Sequence, residues 1–224
     1  ESALTEARRC VELTERTRDT GALAQALCLR ATAELVLGRP ELTDTLHRVR
    51  RLAAAGTDLP LLQGPRHLAA RALLHTDQLV QARTQLRELL AEAERYGRPE
   101  DVVGMLLNLA EVDLRAGWCA SARQAAARAR QVARAADLSA GPGLALSALA
   151  EAVAGDPDTA REWAERGAQL SEADGDRFFL LRNLHALGMA AMLAGDQEGA
   201  LPPLRRAGEL GAAMGELDPA LFRF

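Results

Sequence analysis

The feature that most constrains this chain is a pair of small residues that recurs along it. The first member of each pair is Gly or Ala, and the second member stands twelve residues later. The first members are Ala31, Ala70, Ala110, Ala148 and Gly188, and the second members are Thr43, Ala82, Ala122, Ala160 and Ala200. Successive second members lie 39, 40, 38 and 40 residues apart. A nearly constant period of this length predicts an array of one repeated supersecondary unit.

A residue suited to ending a helix stands between the two members of every pair. These residues are Gly38, Asp77, Gly117, Gly155 and Gly195. Glycine enters the left-handed conformation that closes a helix without steric cost, and aspartate tolerates it. Each repeat is therefore predicted to be two helices joined by a tight turn, with the small residues where the helices cross closely. One such hairpin cannot bury both faces, so neighbouring repeats are expected to stack.

The pattern resembles the tetratricopeptide repeat. Gly188, Ala200 and Ala207 match the small positions of that family, with Leu187 beside the first of them. The period is about five residues longer than the ~34 residues usual for the family. The resemblance implies an all-α fold, an α-solenoid of antiparallel helix pairs with about eleven helices.

The repeat register divides the chain into three predicted segments. Residues 1–20 are expected to be the second helix of a truncated repeat, and residues 21–215 to be five helix pairs in one solenoid domain. Gly141-Pro142-Gly143 predicts an interruption of the helices, with a bend near 139–143 and the next helix starting near 144. Residues 216–224 are expected to begin a further repeat, and the chain is expected to be a piece of a longer protein.

Composition excludes several classes of function. Hydrophobic residues make up 48% of the chain but aromatic residues only 3%, as expected where Ala and Leu carry helix packing. All 27 basic residues are arginine, so neither a lysine nucleophile nor a phosphate-loop lysine exists in this sequence. The net charge of −4 does not suggest general nucleic-acid binding. No signal peptide or membrane-spanning run is visible. Cys10, Cys28 and Cys119 form no CxxC pair, which predicts buried thiols and a cytoplasmic setting.

The last residues carry a more specific resemblance. A helical array followed by DPALFRF is similar to the region between the outer domains of large ATP-binding LuxR-type (MalT-like) transcriptional regulators. This resemblance implies a parent with a nucleotide-binding domain, in which this segment senses an effector or partner. No phosphate loop or terminal helix-turn-helix stands in the sequence itself, so the segment is predicted to be non-catalytic, without cofactors and without direct DNA binding. The alternative is a free-standing tetratricopeptide-like scaffold that binds a peptide in its concave groove.

In tetratricopeptide-like arrays the first helix of each repeat lines the concave face. Counting from the small residues places eight candidate residues there: Arg71, His75, Asn108, Glu111, Arg115, Arg182, His185 and Met189. Three arginines from different repeats favour a protein segment or a small anionic effector as the occupant, since arginine holds carboxylates and phosphates bidentately. The alternative is a solvated wall that binds nothing. His67 lies on the same side, but its eight-residue spacing from His75 argues against a shared zinc ion.

A second set of arginines falls on the second helix of the third repeat. Arg123, Arg128, Arg130 and Arg134 could form a basic patch for an acidic partner, and the simpler interpretation is a solvated outer face. The fourth repeat is acidic, so neighbouring helices are expected to neutralise each other. Self-association is a further expectation for such an array. No nucleophile–base arrangement can be assigned by motif, and Cys119 is expected to be packed.

Overall fold

A computed structural model describes residues 2–54, 59–215 and 217. These residues contain eleven α-helices and no β-strand. The helices are α1 (Ser2–Thr17), α2 (Thr20–Val36), α3 (Leu42–Ala54), α4 (Pro65–His75), α5 (Leu79–Tyr96), α6 (Pro99–Arg115), α7 (Cys119–Ala135), α8 (Gly141–Ala154), α9 (Pro157–Ala173), α10 (Arg177–Leu193) and α11 (Gln197–Met214). The all-α prediction is confirmed. The five repeats are α2–α3, α4–α5, α6–α7, α8–α9 and α10–α11, preceded by α1.

The turn inside every repeat closes in the same way. Gly38, Asp77, Gly117, Gly155 and Gly195 have φ values of +61°, +57°, +77°, +91° and +80°. In each repeat the N–H that follows this residue donates to the carbonyl five positions earlier, at 2.8–2.9 Å. These are Schellman motifs, which satisfy carbonyl groups that a helix end leaves unpaired. The five turn residues read from the sequence are therefore the residues that end the first helices.

The small residues lie at the helix crossings in four of the five repeats. Ala82, Ala122, Ala160 and Ala200 are all buried. Gly188 is buried too, and a Cβ atom built on it would stand 2.4 Å from Cγ of Leu204 on α11. Thr43, assigned to the same position in the first repeat, is exposed. That assignment was wrong because the longer side chains of Thr45, Leu46 and Val49 fill the contact instead.

The segment Gly141-Pro142-Gly143 is the first turn of α8, whereas its composition suggested an interruption before a helix starting at 144. Proline fits the first turn because the N–H it lacks would have no partner inside the helix. A Cβ on Gly143 would stand 2.6 Å from Cγ of Arg130, and one on Gly141 would stand 2.8 Å from Oγ of Ser171. The glycines therefore permit close packing against α7 and α9. The bend near 139–143 stays a prediction.

The described residues fall into two compact units. Unit one contains residues up to Gln85 together with 214, 215 and 217, and unit two contains residues 86–213. In unit two, α6 packs on α7, α8 on α9 and α9 on α10. The first helices α6, α8 and α10 also pack side by side, with α8 in the middle. This arrangement gives unit two a face formed by three first helices, which we call the first-helix face.

Candidate functional site

The central helix of the first-helix face, α8, is covered by neighbouring parts of unit two. Eleven of the fourteen residues of α8 are buried, including Ala145, Leu149 and Ala152. Alanine at several of these positions gives α8 short side chains. Side chains from α6 and α10 can therefore approach each other beside α8. Leu149 belongs to an apolar cluster with Leu114 of α6 and Ala186 of α10. The middle of this face is therefore packed protein.

An ion pair joins the two outer helices of this face. Nη1 of Arg182 on α10 donates to Oε2 of Glu111 on α6 at 2.9 Å, and the two side chains are 5% and 9% exposed. Removing two charges from water costs several kcal/mol per ion, so such a pair lasts only where the geometry is good. Arg182 thus reaches a carboxylate of the protein itself, 71 residues away in the sequence.

Four other predicted groove residues of unit two are half-buried. His185 follows Arg182 by almost one turn on α10, and its pKa is lowered by burial and further by the charge of Arg182. Met189 packs against the cluster that contains Leu149. Nδ2 of Asn108 donates to the carbonyl of Gly104 one turn earlier at 2.7 Å. Arg115, at the carboxyl end of α6, is the remaining arginine of the predicted set in this unit.

The two remaining predicted residues, Arg71 and His75, lie on α4 in unit one. Arg71 is half-buried, and His75 is buried. His67, on the same helix, is 2% exposed and its Nδ1 accepts a hydrogen bond from the Gln63 N–H at 3.0 Å. Burial, assisted by the charge of Arg71, lowers the pKa of His67 to about 3. His67 is therefore a neutral core histidine rather than a groove residue. The common trough that we predicted for Arg71, Arg115 and Arg182 stays a prediction.

Three of the four predicted arginines of α7 contact neighbouring helices, and Arg123 does so with the acidic fourth repeat. Arg123 pairs with Glu151 on α8, and Arg128 pairs with Glu94 on α5 at 2.6 Å. The guanidinium carbon of Arg130 lies 4.2 Å from the ring centroid of Trp163 on α9. A cation held over an indole ring is stabilised by the ring quadrupole. These contacts favour a packed and neutralised face over a basic patch.

Arg130 is the residue of this set that sequence reasoning placed wrongly on a solvated face. Its Nη1 donates to Oγ of Ser147 on α8, and Ser147 donates to the Gly143 carbonyl at 2.8 Å. Burial lowers the pKa of Arg130, Arg134 lowers it further, and Glu151 opposes the shift. The sequence signal was glycine at position 143, which leaves room for a long side chain from the preceding repeat.

Sequence reasoning also missed ion pairs that link consecutive second helices. Glu15 pairs with Arg48 at 2.6 Å, Glu94 with Arg128 at 2.6 Å, and Glu172 with Arg206 at 2.5 Å. The partners lie 33 or 34 residues apart in the sequence, so a search for Glu and Arg at that spacing could have found them. Exposed pairs of this kind stabilise little individually, at ~0–1 kcal/mol each.

The thiols differ from expectation. Cys28 is buried and burial raises its pKa to about 11, but Cys10 is exposed and Cys119 is half-buried. The prediction of buried thiols was therefore wrong for Cys10.

In the ranges that the structure describes, no group of three His, Cys, Asp or Glu side chains could hold a metal ion. None of the helices there has both the length and the apolar character needed to cross a bilayer.

Comparison with known proteins identifies the fold. No protein-family profile and no curated protein sequence matches the chain. BtubC (BKLC) from P. vanneervenii is similar in structure, with a TM-score of 0.66 and 19% identity over 96% of this chain and 92% of that one. TPR-like repeats attributed to a kinesin light chain of Podosopora anserina give 0.58 and 19% identity, over 85% of this chain and 95% of that one. The fold is a TPR-like α-solenoid.

A third similar structure is a Rap protein complexed with competence and sporulation factor. Its TM-score is 0.67 at 12% sequence identity, over 95% of this chain and 65% of that one. Identities this low establish the arrangement of the helices and nothing finer. They confirm the tetratricopeptide-like part of the sequence prediction. The tail that carries the regulator resemblance, residues 218–224, lies outside the described residues.

Proposed function

We propose that this chain is a non-catalytic protein-interaction module that binds a protein segment along its first helices. The observation that carries the proposal is the array of five Schellman-closed helix pairs, because stacked helix pairs present long continuous surfaces to partners. A Rap protein of similar fold is complexed with competence and sporulation factor, which supports a binding role for such a surface. The alternative derived from the sequence, a peptide-binding scaffold, thus becomes the leading interpretation.

The chemistry of the first-helix face favours a partner with an acidic group. Arg115 carries a positive charge at the carboxyl end of α6, and Arg182 carries another on α10, where it pairs with Glu111. A carboxylate of the partner would bind Arg115 through charge-assisted hydrogen bonds, which are about twice as strong as neutral ones. Because burial lowers the pKa of His185, that histidine is neutral near pH 7 and contributes little attraction there. Because Arg115 is half-buried and Arg182 is buried, a partner reaches Arg115 more readily, and we place the anionic contact there.

Selection of binding peptides from a random displayed library tests this function directly. Calorimetry then compares the selected peptide on the wild type, on Arg115→Gln, and on Arg166→Gln, whose arginine is exposed on the second helix α9. We expect Arg115→Gln to weaken binding about tenfold, the loss of a single charged hydrogen bond, and Arg166→Gln to leave it unchanged. Equal loss in both variants would move the site away from the first helices, and failure to select any peptide would contradict the function.

The placement of this module in a LuxR-type transcriptional regulator is a separate and finer proposal. Its support is the DPALFRF sequence of the tail. In such a parent, an effector would act by binding one stacked state of the array more tightly than another. A cytoplasmic setting belongs to the same proposal. The reading frame that flanks this segment tests it, since phosphate-loop and helix-turn-helix sequences on its two sides would support the regulator.

A further inference from the structure

A cavity of about 310 Å³ lies in unit one, where residues of the second helices α3 and α5 and of the first helix α4 come together. Its lining residues recur at steps of three and four from Thr43 to Arg50 on α3, and from Ala69 to Thr76 on α4. Each set therefore forms one face of its helix. Gln85 of α5 completes the lining. The volume is at the lower end of the range for small-molecule pockets, about 300–1,000 Å³, so the cavity has room for a small ligand.

The lining combines apolar side chains with a positive charge. Leu46, Ala72 and Leu73 supply apolar surface, and the exposed residues His47 and Arg50 supply polar groups. Among the residues that the structure describes, neither His47 nor Arg50 has a hydrogen bond or an ion pair, and no acidic side chain lines the cavity. The cavity therefore suits a ligand that carries a negative charge on an apolar body.

In other repeats a carboxylate of the chain itself occupies the position of Leu73. This position is three residues after the first small residue, and it holds Glu34, Asp113 and Glu151 in the first, third and fourth repeats. All three of these side chains are buried. Glu151 pairs with Arg123 of the preceding second helix, α7. Because the second repeat has leucine there, it offers no such partner to an arginine of its own preceding second helix, α3.

The other position through which α8 binds an arginine of α7 is also apolar on α4. Nη1 of Arg130 donates to Oγ of Ser147, which stands one residue before the first small residue of its repeat. At the same position α4 has Ala69, which lines the cavity. Two polar partners that α8 supplies are thus replaced by apolar residues on α4. An anion from solution can take their place beside Arg50.

We propose that this cavity binds a small organic acid, with its carboxylate on Arg50 and its apolar body against Leu46 and Leu73. Arginine holds a carboxylate bidentately, and such charge-assisted bonds are about twice as strong as neutral ones. The opposite end of the α4 face is unfavourable for an anion, because α4 ends at Thr76 and Asp77 follows. A single arginine beside apolar residues favours a monocarboxylate over more highly charged anions. Binding here does not depend on the peptide binding proposed for α6 and α10.

NMR titration of the nitrogen-labelled chain tests the site with two probes, phenylacetate and hexanoate. Their primary amides have nearly the same shape without the charge, and they serve as controls. We expect saturable amide shifts on α3 and α4 at millimolar concentrations of either acid, and binding of each primary amide at least about tenfold weaker. Absence of saturable shifts with both acids, or equal affinity for acids and amides, would overturn the proposal.

The role of Arg50 is tested by a matched pair of variants on α3. Arg50→Gln should weaken the binding of both acids at least about tenfold. Arg51→Gln is the control, because Arg51 is exposed about 100° around the same helix and does not line the cavity. It should leave the affinity unchanged. An equal loss in both variants would indicate general charge attraction and would overturn the site.

A second pair of variants tests the comparison between repeats. Leu73→Glu places a carboxylate where three other repeats have one, so it should occupy Arg50 and abolish the binding of both acids. Leu73→Gln introduces a side chain of the same size without the charge, and it should keep most of the affinity. Circular dichroism melts establish that each variant folds. Equal affinity of the two folded variants for the acids would contradict the proposal.

Discussion

The crossing of α10 and α11 depends on the absence of a side chain at Gly188. An added Cβ atom would stand 2.4 Å from Cγ and 2.5 Å from Cδ2 of Leu204. Both distances are well below van der Waals contact, so the two helices cannot keep their spacing if this residue grows. Gly208, on α11, is the natural comparison because a Cβ there would meet nothing within 4 Å. Both glycines lie inside helices, and neither has a positive φ.

Gly188→Ala and Gly208→Ala therefore differ in only one respect. Each gains helix propensity of ~1 kcal/mol, because glycine is a poor helix former. At position 188 this gain is opposed by overpacking, which costs about 1–3 kcal/mol. We expect Gly208→Ala to stabilise the chain and Gly188→Ala to be neutral or destabilising. Gly188→Leu should destabilise it by the full overpacking cost or more.

Thermal melts followed by circular dichroism measure the difference. For a chain of this size, 1–3 kcal/mol corresponds to a difference of about 2–12 °C in Tm between the two alanine variants. Shortening the opposing side chain with Leu204→Ala should recover part of the loss in Gly188→Leu. If both alanine variants raise Tm equally, the proposed register of α10 on α11 is wrong.

Three further predictions concern buried groups and one turn. Burial lowers the pKa of His67 to about 3, so only the unfolded chain takes up this proton as the pH falls from 6.5 towards 3. Urea melts should then show that His67 contributes about 2 kcal/mol less to the free energy of unfolding at pH 5.0 than at pH 7.5. The variant His67→Asn should remove this difference. His47→Asn, which replaces an exposed histidine, should keep it. Replacing either Glu111 or Arg182 by Met leaves one buried charge without its partner and should lower the free energy of unfolding by about 3–5 kcal/mol. In a double-mutant cycle, replacing both residues should cost far less than the sum of the two single losses. Gly155→Ala should lower stability by ~1 kcal/mol in the same melts because its φ of +91° suits glycine alone, and an unchanged midpoint would refute this role of the turn.

The helices could be predicted well because two local signals coincide in four of the five repeats. Small residues twelve apart fixed the crossings, and a left-handed residue such as Gly155 fixed the turn between them. The start of α8 was misjudged because Gly141 and Gly143 were taken as helix breakers. Their need for glycine comes from Arg130 and Ser171 on other helices, and a local pattern cannot show it.

The candidate site was less predictable from the sequence. The repeat count placed Glu111 and Arg182 on one side of the array, but it could not show that they pair. That contact depends on the spacing between two helices that flank α8, and small residues such as Ala145 set this spacing. The burial of His67 was equally hidden, since a histidine on a first helix looks the same whether the neighbouring helix covers it or not.

Hydrogen exchange of the wild-type chain with a saturating selected peptide tests the proposed function most directly. Amide protection reports which helices a partner covers or stabilises. We expect the largest gain in protection in the first helices of unit two, α6 and α10, with the carboxyl-terminal turn of α6 at Arg115 most affected. Protection confined to the second helices α7 and α9 would contradict the proposed binding face.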